Sequence, residues 1–270
     1  MKFSVLLSLY YKESPAYLRL SLDSVFRQTL PPDEVILVED GPLTPELYQV
    51  VNDFASRHKE LKIVVNEKNC GLGISLNEGL KYCSYTLVAR MDTDDICKPE
   101  RFARQVAYME EHPDIDVVGA WIDEFQEDVT QVVSTRKLPE APEEICKFGK
   151  KRNPMNHPVV MFRKKAVEEA GGYQPFYLFE DYYLWVRMLL NGAKMYNIQE
   201  ALLWFRFSPQ MFKRRGGLRY ALVETRFLWK LYRLGYVPLT KSCQHILIRF
   251  MTRIAPNRIR SKIYKKLIRR

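Results

Sequence analysis

The chain has 270 residues, 47% apolar and 27% charged, which excludes a disordered or collagen-like polymer and fits one α/β domain with an appendage. Five cysteines, Cys70, Cys83, Cys97, Cys146 and Cys243, form no C-x-x-C pair, so neither a disulfide framework nor a zinc ribbon is expected and a reducing compartment is the default. The net charge of +10 is unevenly spread: residues 211–270 hold 17 Lys and Arg against one acid, Glu224, leaving 25 basic and 31 acidic side chains in residues 1–210. An acidic body with a basic tail predicts an anionic surface, membrane or nucleic acid, as partner of the tail alone.

The opening MKFSVLLSLYYKES has a short apolar run and no small-residue cleavage site, so residues 3–9 read as a buried strand and not as a signal peptide. No apolar run approaches the roughly 18 residues that cross a bilayer, and a cytoplasmic location is expected. Ser14 and Pro15 predict an N-cap and first turn for a helix to about Arg27. EVILVED (34–40) is a second strand, Thr44-Pro45 opens a second helix, and KIVVN (62–66) is a third strand. A turn at Asn69–Gly73 leads to a short helix ending near Lys81, and TLVARMD (86–92) is a fourth strand. Full apolar strands alternating with helices predict a mostly parallel sheet covered on both faces, with ligands at the carboxyl ends of the strands. Further on, a helix begins near Pro99 and DVVGAWI (116–122) is a strand leading towards a hairpin. PVVMF (158–162) is another strand, helices end at Gly171-Gly172 and Gly192, and short strands at 194–198 and 202–206 close the body.

Three predicted strand ends carry chemistry: Ser8, Asp40 with Glu39, and Asp92 with Asp94 and Asp95. Three carboxylates within four residues repel one another unless a hard dication or cationic partner neutralises them. Oxygen ligands without His or Cys suit Mg²⁺ or Mn²⁺ held jointly with a substrate diphosphate. The competing reading is an acidic loop whose Asp94 or Asp95 caps the next helix. Glu180-Asp181 opens a helix on which Asp181, Leu184, Trp185 and Met188 share a face, so Asp181 is placed either as a general base or as a first-turn acid complementing the helix dipole. His157 in NPMNHPVV reads as a structural histidine or a neighbour of donor phosphates. His58, His112 and His245 lack ligand spacing. The G-x-G at Gly71 and Gly73 lacks the rest of a dinucleotide fingerprint.

The blocks FSVLLSLYYKE, QTLPPDEVILVEDG, NCGLGISLNEGL, ARMDTDDICKPERF, NPMNHPVVMFRK and FEDYYLWVRM occur in an order and spacing that resembles the family 2 glycosyltransferases, over about residues 3–207. The resemblance implies the GT-A fold, with a catalytic domain at 1–210 and a basic helical extension at 211–270. It implies an inverting, metal-dependent sugar transfer from a nucleotide-diphosphate sugar, a UDP-sugar, to a saccharide or lipid-linked saccharide in bacterial surface polysaccharide synthesis. By position, Ser8, Tyr10 and Asp40 match the pocket for the nucleotide base, with Asp40 accepting the base imide proton. Asp92 and Asp94 match the D-x-D pair, Asp92 near ribose or metal and Asp94 the principal metal ligand. Asp181 matches the base that deprotonates the acceptor, and Asn69, Asn77 and Arg90 lie in donor-side segments. Glu39 and Tyr11 depart from the usual aspartate and asparagine, which touches base recognition more than metal binding.

Beyond Arg206, Lys213–Gly217 reads as a basic hinge. In 243–254 the residues Ile246, Leu247, Phe250, Met251 and Ile254 share a helical face, with Lys241, Arg249 and Arg253 off it, and 258–270 repeats the scheme. Such helices can lie on an anionic membrane on its inner face, or pack on the body and expose a solvated basic side. Nucleic acid has only the charge in its favour, since no reading motif is present. A non-catalytic nucleotide-sugar or membrane-binding module of the same fold is the rival to the enzyme.

Overall fold

A computed structural model describes residues 1–207 and 216–255. Lys213–Arg215 of the basic hinge and the expected helix over 258–270 lie outside the described residues. Strands β1 (Phe3–Leu9), β2 (Glu34–Asp40), β3 (Leu61–Asn66) and β4 (Leu87–Arg90) form a parallel block in the order β3-β2-β1-β4. The block continues through β8 (Met161–Arg163), β6 (Val117–Phe125), β9 (Met195–Arg206) and β5 (Ile96–Cys97), and β7 (Ser134–Arg136) pairs with β6. β8 runs antiparallel to both β4 and β6. This is the expected α/β architecture, mostly parallel and curled, with the antiparallel pairings in its second half.

Period-two alternation splits the apolar strands between two faces. Val5, Leu7 and Leu9 of β1 pack with α1 (Pro15–Phe26), α2 (Pro45–Arg57) and α4 (Arg101–Glu111). Leu6, Ile36 and Val38 pack with α3 (Leu72–Tyr82), α5 (Pro142–Gly149), α6 (Lys164–Glu169) and α7 (Glu180–Leu190). The end of the sheet remote from the site is tied by Glu34. Burial raises its pKa, but Lys62, Ser4 and both donors of Ser84 outweigh this and pull it to about 2.

Several local expectations need correction. Ser14 occupies the N-cap position of α1, yet its side chain makes no cap and its backbone N–H donates to Glu13 Oε1 at 2.7 Å. Thr44 does cap α2, accepting from Leu47 N–H. The strand expected over 158–162 is a 3₁₀ turn at His157–Val159 followed by β8 from Met161. Pro158 lacks the N–H a strand there would need. The two short strands near 194–198 and 202–206 are one strand, β9, whose register against β6 shifts around Trp121. A bulge keeps the backbone continuous while interrupting the alternation that a sequence reading follows. The hairpin after residue 122 is present as β6 and β7.

The C-terminal helices α8 (Leu218–Arg233) and α9 (Leu239–Ile254) form a hairpin. A third apolar cluster joins Phe227, Leu228 and Leu231 of α8, with Tyr236 and Val237, to Phe179, Tyr182, Tyr183 and Val186 at and within α7. The extension therefore shares a core with the body. The orientation expected for α9 is reversed in part: Arg249 and Arg253 face inward onto Glu224 of α8, at 2.6 and 2.7 Å, while Leu247, Met251 and Ile254 are exposed. The cause is Glu224, which is 2% exposed and needs cationic partners to remain ionised away from water. Burial raises its pKa, and the Arg253 and Arg249 contacts more than reverse that, holding it below the usual range. This stabilisation is present above the ordinary glutamate pKa and is lost as pH falls through the lowered one.

Candidate active site

The β4–β5 loop holds Asp92, Asp94 and Asp95, each offering a carboxylate oxygen such that all three lie within 4.8 Å of one another. The loop is clamped on three sides. From α1 and the segment just after it, polar side chains reach it: Ser21 Oγ donates to the Asp92 carbonyl at 2.9 Å, Ser24 Oγ accepts from Cys97 N–H at 2.9 Å, and Gln28 Nε2 donates to the Lys98 carbonyl at 2.8 Å. From α4, the fully buried Arg101 donates to the carbonyl of Arg90 at 2.5 Å. From the end of β9, the backbone N–H of Arg206 donates to Asp95 Oδ1 at 2.7 Å and its Nε donates to the Asp94 carbonyl at 3.0 Å. The Arg206 guanidinium is sandwiched between the rings of Tyr17 and Phe125.

The loop's carboxyls are raised by burial and by one another more than Arg90 lowers them. Burial, then Asp92 and Glu13, push the Asp94 carboxyl up to about 7, and burial with Asp94 and Asp92 raises Asp95 well above the ordinary range. Asp95 Oδ2 is buried with no partner among the described residues. Glu13 adds a fourth carboxylate nearby, accepting from Thr93 Oγ1 at 3.2 Å and raised by burial. An all-oxygen set with an orphaned buried oxygen fits a hard divalent cation. Cap bonds from Asp94 or Asp95 to α4 are not seen: the N-cap position is Glu100, without a side-chain bond.

Beneath this loop lies Arg90, 1% exposed, bonded through Nη2 to Asp92 Oδ1, with Nε and Nη1 unpartnered among the described residues. Beside it, Tyr173 Oη meets His157 Nε2 at 2.9 Å. The Tyr173 hydroxyl is raised by burial and feels the charges of Arg90, Asp181 and Asp92, so it lies near both aspartate positions. Burial and Arg90 hold His157 well below its usual pKa.

Asp181 stands in the first turn of α7, half-buried, and Asn153 Nδ2 donates to its Oδ2 at 2.6 Å. Burial raises its pKa against the lowering by the Tyr182 N–H, Asn153, Arg136 and Arg90. Leu184, Trp185 and Met188 on the same face are wholly buried, as expected.

The base-pocket residues arrive at the carboxyl ends of β1 and β2. Tyr10 and Tyr11 are exposed and meet edge to face at 6.1 Å, and Ser8 is half-buried at the end of β1. Asp40 is 3% exposed, and its oxygens accept from Cys70 N–H at 2.7 Å, Gly71 N–H at 3.0 Å, Asn69 Nδ2 at 3.0 Å and Asn66 Nδ2 at 3.4 Å. Asp40 and Asn69 thus fold the 69–71 loop. An imide proton would have to share a carboxylate already ringed by donors. Gly41 follows with φ of 85°, and a Cβ there would lie 2.6 Å from Asn69 N, so the loop can close only over glycine. Asn77 does not face the donor side freely: its amide donates to the Tyr173 carbonyl at 2.6 Å and accepts from Tyr173 N–H at 2.7 Å, fixing Tyr173 against α3.

Sequence reasoning missed Asn153, Arg101, Arg206 and Glu13. Asn153, Arg101 and Glu13 stood inside recognised blocks without an assigned role. Arg206 could have been suspected as a cation ending a strand, and Glu13 as an acid beside a strand end.

A sequence model of glycosyl transferase family 2 matches residues 4–171. Over 269 residues the chain is 40% identical to the UDP-Gal:alpha-D-GlcNAc-diphosphoundecaprenol beta-1,3-galactosyltransferase of Escherichia coli, covering 100% of this chain and 97% of that protein. It is also 40% identical to the amylovoran biosynthesis glycosyltransferase AmsE of Erwinia amylovora, covering 98% of each. Among solved structures it is similar to the mannosyltransferase PcManGT of Pyrobaculum calidifontis in complex with GDP-Man and Mn²⁺, with a TM-score of 0.65 and 17% identity over 86% of this chain and 64% of that one. Together with the GT-A sheet, these likenesses show that the chain is a glycosyltransferase and belongs to glycosyl transferase family 2.

Proposed function

We propose that the chain is an inverting, divalent-metal-dependent transferase that moves a sugar from a UDP-sugar to a hydroxyl of a lipid-linked saccharide in cell-surface polysaccharide synthesis. The observation that carries this reading is the cluster of Asp92, Asp94 and Asp95 carboxylates at the end of β4, with the buried oxygen of Asp95 unpartnered among the described residues. The donor and acceptor classes follow from the galactosyltransferase relative's name.

Asp92 and Asp94 would hold Mg²⁺ or Mn²⁺, with Asp95 completing the carboxylate set. When bound, such an ion supplies charge that stabilises a departing diphosphate. The unpartnered nitrogens of Arg90 are further donors for phosphate oxygens. The 69–71 loop, shaped by Asp40, lies with Ser8 and Tyr10 on the base side. Asp181 accepts the proton of the attacking hydroxyl through Oδ1, its Oδ2 being occupied by Asn153. One displacement from the face opposite the leaving group inverts the anomeric carbon, and no enzyme nucleophile is required. A thermal-shift panel of nucleotide sugars with and without Mn²⁺ tests this reading. UDP-sugars should raise the melting temperature only with metal present, and product from the stabilising donor should carry the inverted linkage. Equal stabilisation in chelator, or retained configuration, would refute it.

The acceptor's lipid calls for a membrane-facing surface. Among the described residues no helix is long and apolar enough to cross a bilayer, so the association proposed is peripheral, on the inner face. On α8 the outward residues alternate Leu218, Leu222 and Trp229 with Arg219, Arg226 and Arg233, the composition of a helix lying in an anionic interface. Residues 256–270 add seven Lys and Arg and no acid. Vesicles containing anionic lipid should retain the protein at low salt, and Leu222→Glu with Trp229→Glu should release it. Equal retention of both proteins would remove the membrane from the account.

A further inference from the structure

The body of the chain is acidic, yet the stretch KFGKKR at 147–152 places Lys147, Lys150, Lys151 and Arg152 within six residues. Lys147, Lys150 and Lys151 are exposed, and none has a carboxylate within ion-pair distance among the described residues. Charge of one sign without a partner is ordinary on a surface. What sets this run apart is how it is anchored.

The run starts in the last turn of α5 and continues into the loop after it, and it is fastened at Gly149 and just past its end at Asn153 to the first turn of α7, the turn that carries the proposed base. Tyr182 Oη donates to the carbonyl of Gly149 at 2.5 Å, and Asn153 Nδ2 donates to Asp181 Oδ2 at 2.6 Å. The Asn153 amide cannot turn over without loss, because its Oδ1 accepts from Met155 N–H at 3.3 Å. From the C-terminal hairpin, Arg249 donates to the Lys151 carbonyl and Tyr236 Oη to the Cys146 carbonyl at 3.4 Å. A Cβ on Gly149 would collide with the Tyr236 hydroxyl, so the loop lies flush on its supports. The carbonyls of Cys146, Gly149 and Lys151 face the protein and hold the segment, while Lys147, Lys150 and Lys151 are exposed, a few residues along the chain from Asn153, the partner of Asp181.

We infer that the 147–152 loop is an acceptor subsite that grips the phosphate oxyanions of a diphosphate-linked saccharide while Asp181 receives the proton of its hydroxyl. The inference rests on the reading of Asp181 as the acceptor-side base. If the sugar that is attacked through its hydroxyl also carries the diphosphate on its anomeric carbon, the diphosphate lies one ring away from Asp181. The basic segment is the cationic stretch tied to the turn that carries Asp181. The arrangement segregates charge: carboxylates gather where a metal-bound donor diphosphate belongs, and cations where an acceptor diphosphate enters. Lysines suit this task because each presents a mobile point charge to an anion whose lipid tail varies in pose.

The test compares wild type with Lys147→Gln/Lys150→Gln/Lys151→Gln on two soluble acceptors of one sugar, a short alkyl diphosphate and the uncharged alkyl glycoside. Wild type should prefer the diphosphate acceptor in kcat/KM. The variant should cut that preference roughly tenfold or more, and added salt should erode it in wild type. A preference that survives the triple substitution overturns the proposal. A binding arm needs no turnover: with UDP and Mn²⁺ saturating the donor side, a short prenyl diphosphate should bind wild type more tightly than the variant by a similar factor, and equal binding also overturns it. If the lysines instead grip lipid headgroups, the variant will leave anionic vesicles while keeping its acceptor preference, which again overturns the proposal. Asp181→Asn separates this test from the underlying reading, because it should slow transfer to both acceptors by a similar large factor while leaving prenyl diphosphate binding intact.

Discussion

Asp181→Asn should slow transfer by about a hundredfold to ten-thousandfold while leaving UDP-sugar binding within a few-fold of wild type. The substitution is nearly isosteric and keeps an oxygen for Asn153, so the first turn of α7 should persist. It removes the basic oxygen that takes the acceptor proton. Single-turnover transfer and calorimetric donor binding check the two halves separately. The pH profile adds a sign. Burial raises the Asp181 carboxyl above the ordinary aspartate range, and the base acts only when ionised. Wild-type kcat should therefore fall as pH drops through that raised value, at a higher pH than an exposed aspartate would give. Loss of donor binding in Asp181→Asn equal to the loss of rate would place the residue on the donor side instead.

Asp94→Ala should abolish metal-dependent donor binding, weakening UDP by about a hundredfold or more in Mn²⁺ and little in chelator, since several kcal/mol of charge stabilisation depend on the metal. Stability should move the other way. In the ligand-free protein Asp94 is a largely desolvated carboxylate among Asp92, Asp95 and Glu13, so its removal relieves repulsion and should leave the melting temperature equal or higher. That opposition distinguishes a lost ligand from a damaged fold. A variant that melts far below wild type would make Asp94 structural, and one that keeps metal-dependent binding would move the metal elsewhere.

The parallel half of the sheet was legible because its strands are unbroken apolar runs between well-marked helices, as in EVILVED and SPAYLRL. The second half was harder because β9 carries a register shift that mimics two strands, and Pro158 breaks a run that looks extended. In the site, the carboxylates were visible because clustered acids at a strand end conflict with folding unless they serve something. Their supports were not. Arg101 and Arg206 act through backbone groups, Arg206 from 112 positions away, and Asn77 reaches the Tyr173 backbone, 96 positions along the chain. In α9 the charge pattern suggested outward arginines, and one buried glutamate on the neighbouring helix reversed two of them.

The central claim is that donor diphosphate and acceptor base meet in one crevice through the Asp92, Asp94 and Asp95 loop. Anomalous diffraction from crystals grown with UDP and Mn²⁺ tests it most directly. The account predicts a manganese peak coordinated by carboxylate oxygens of Asp94 and Asp92 and by the diphosphate, the uracil beside the 69–71 loop, and Asp181 facing the same cavity. A manganese ion bound away from these aspartates, or a diphosphate in a hollow that Asp181 does not border, would contradict it.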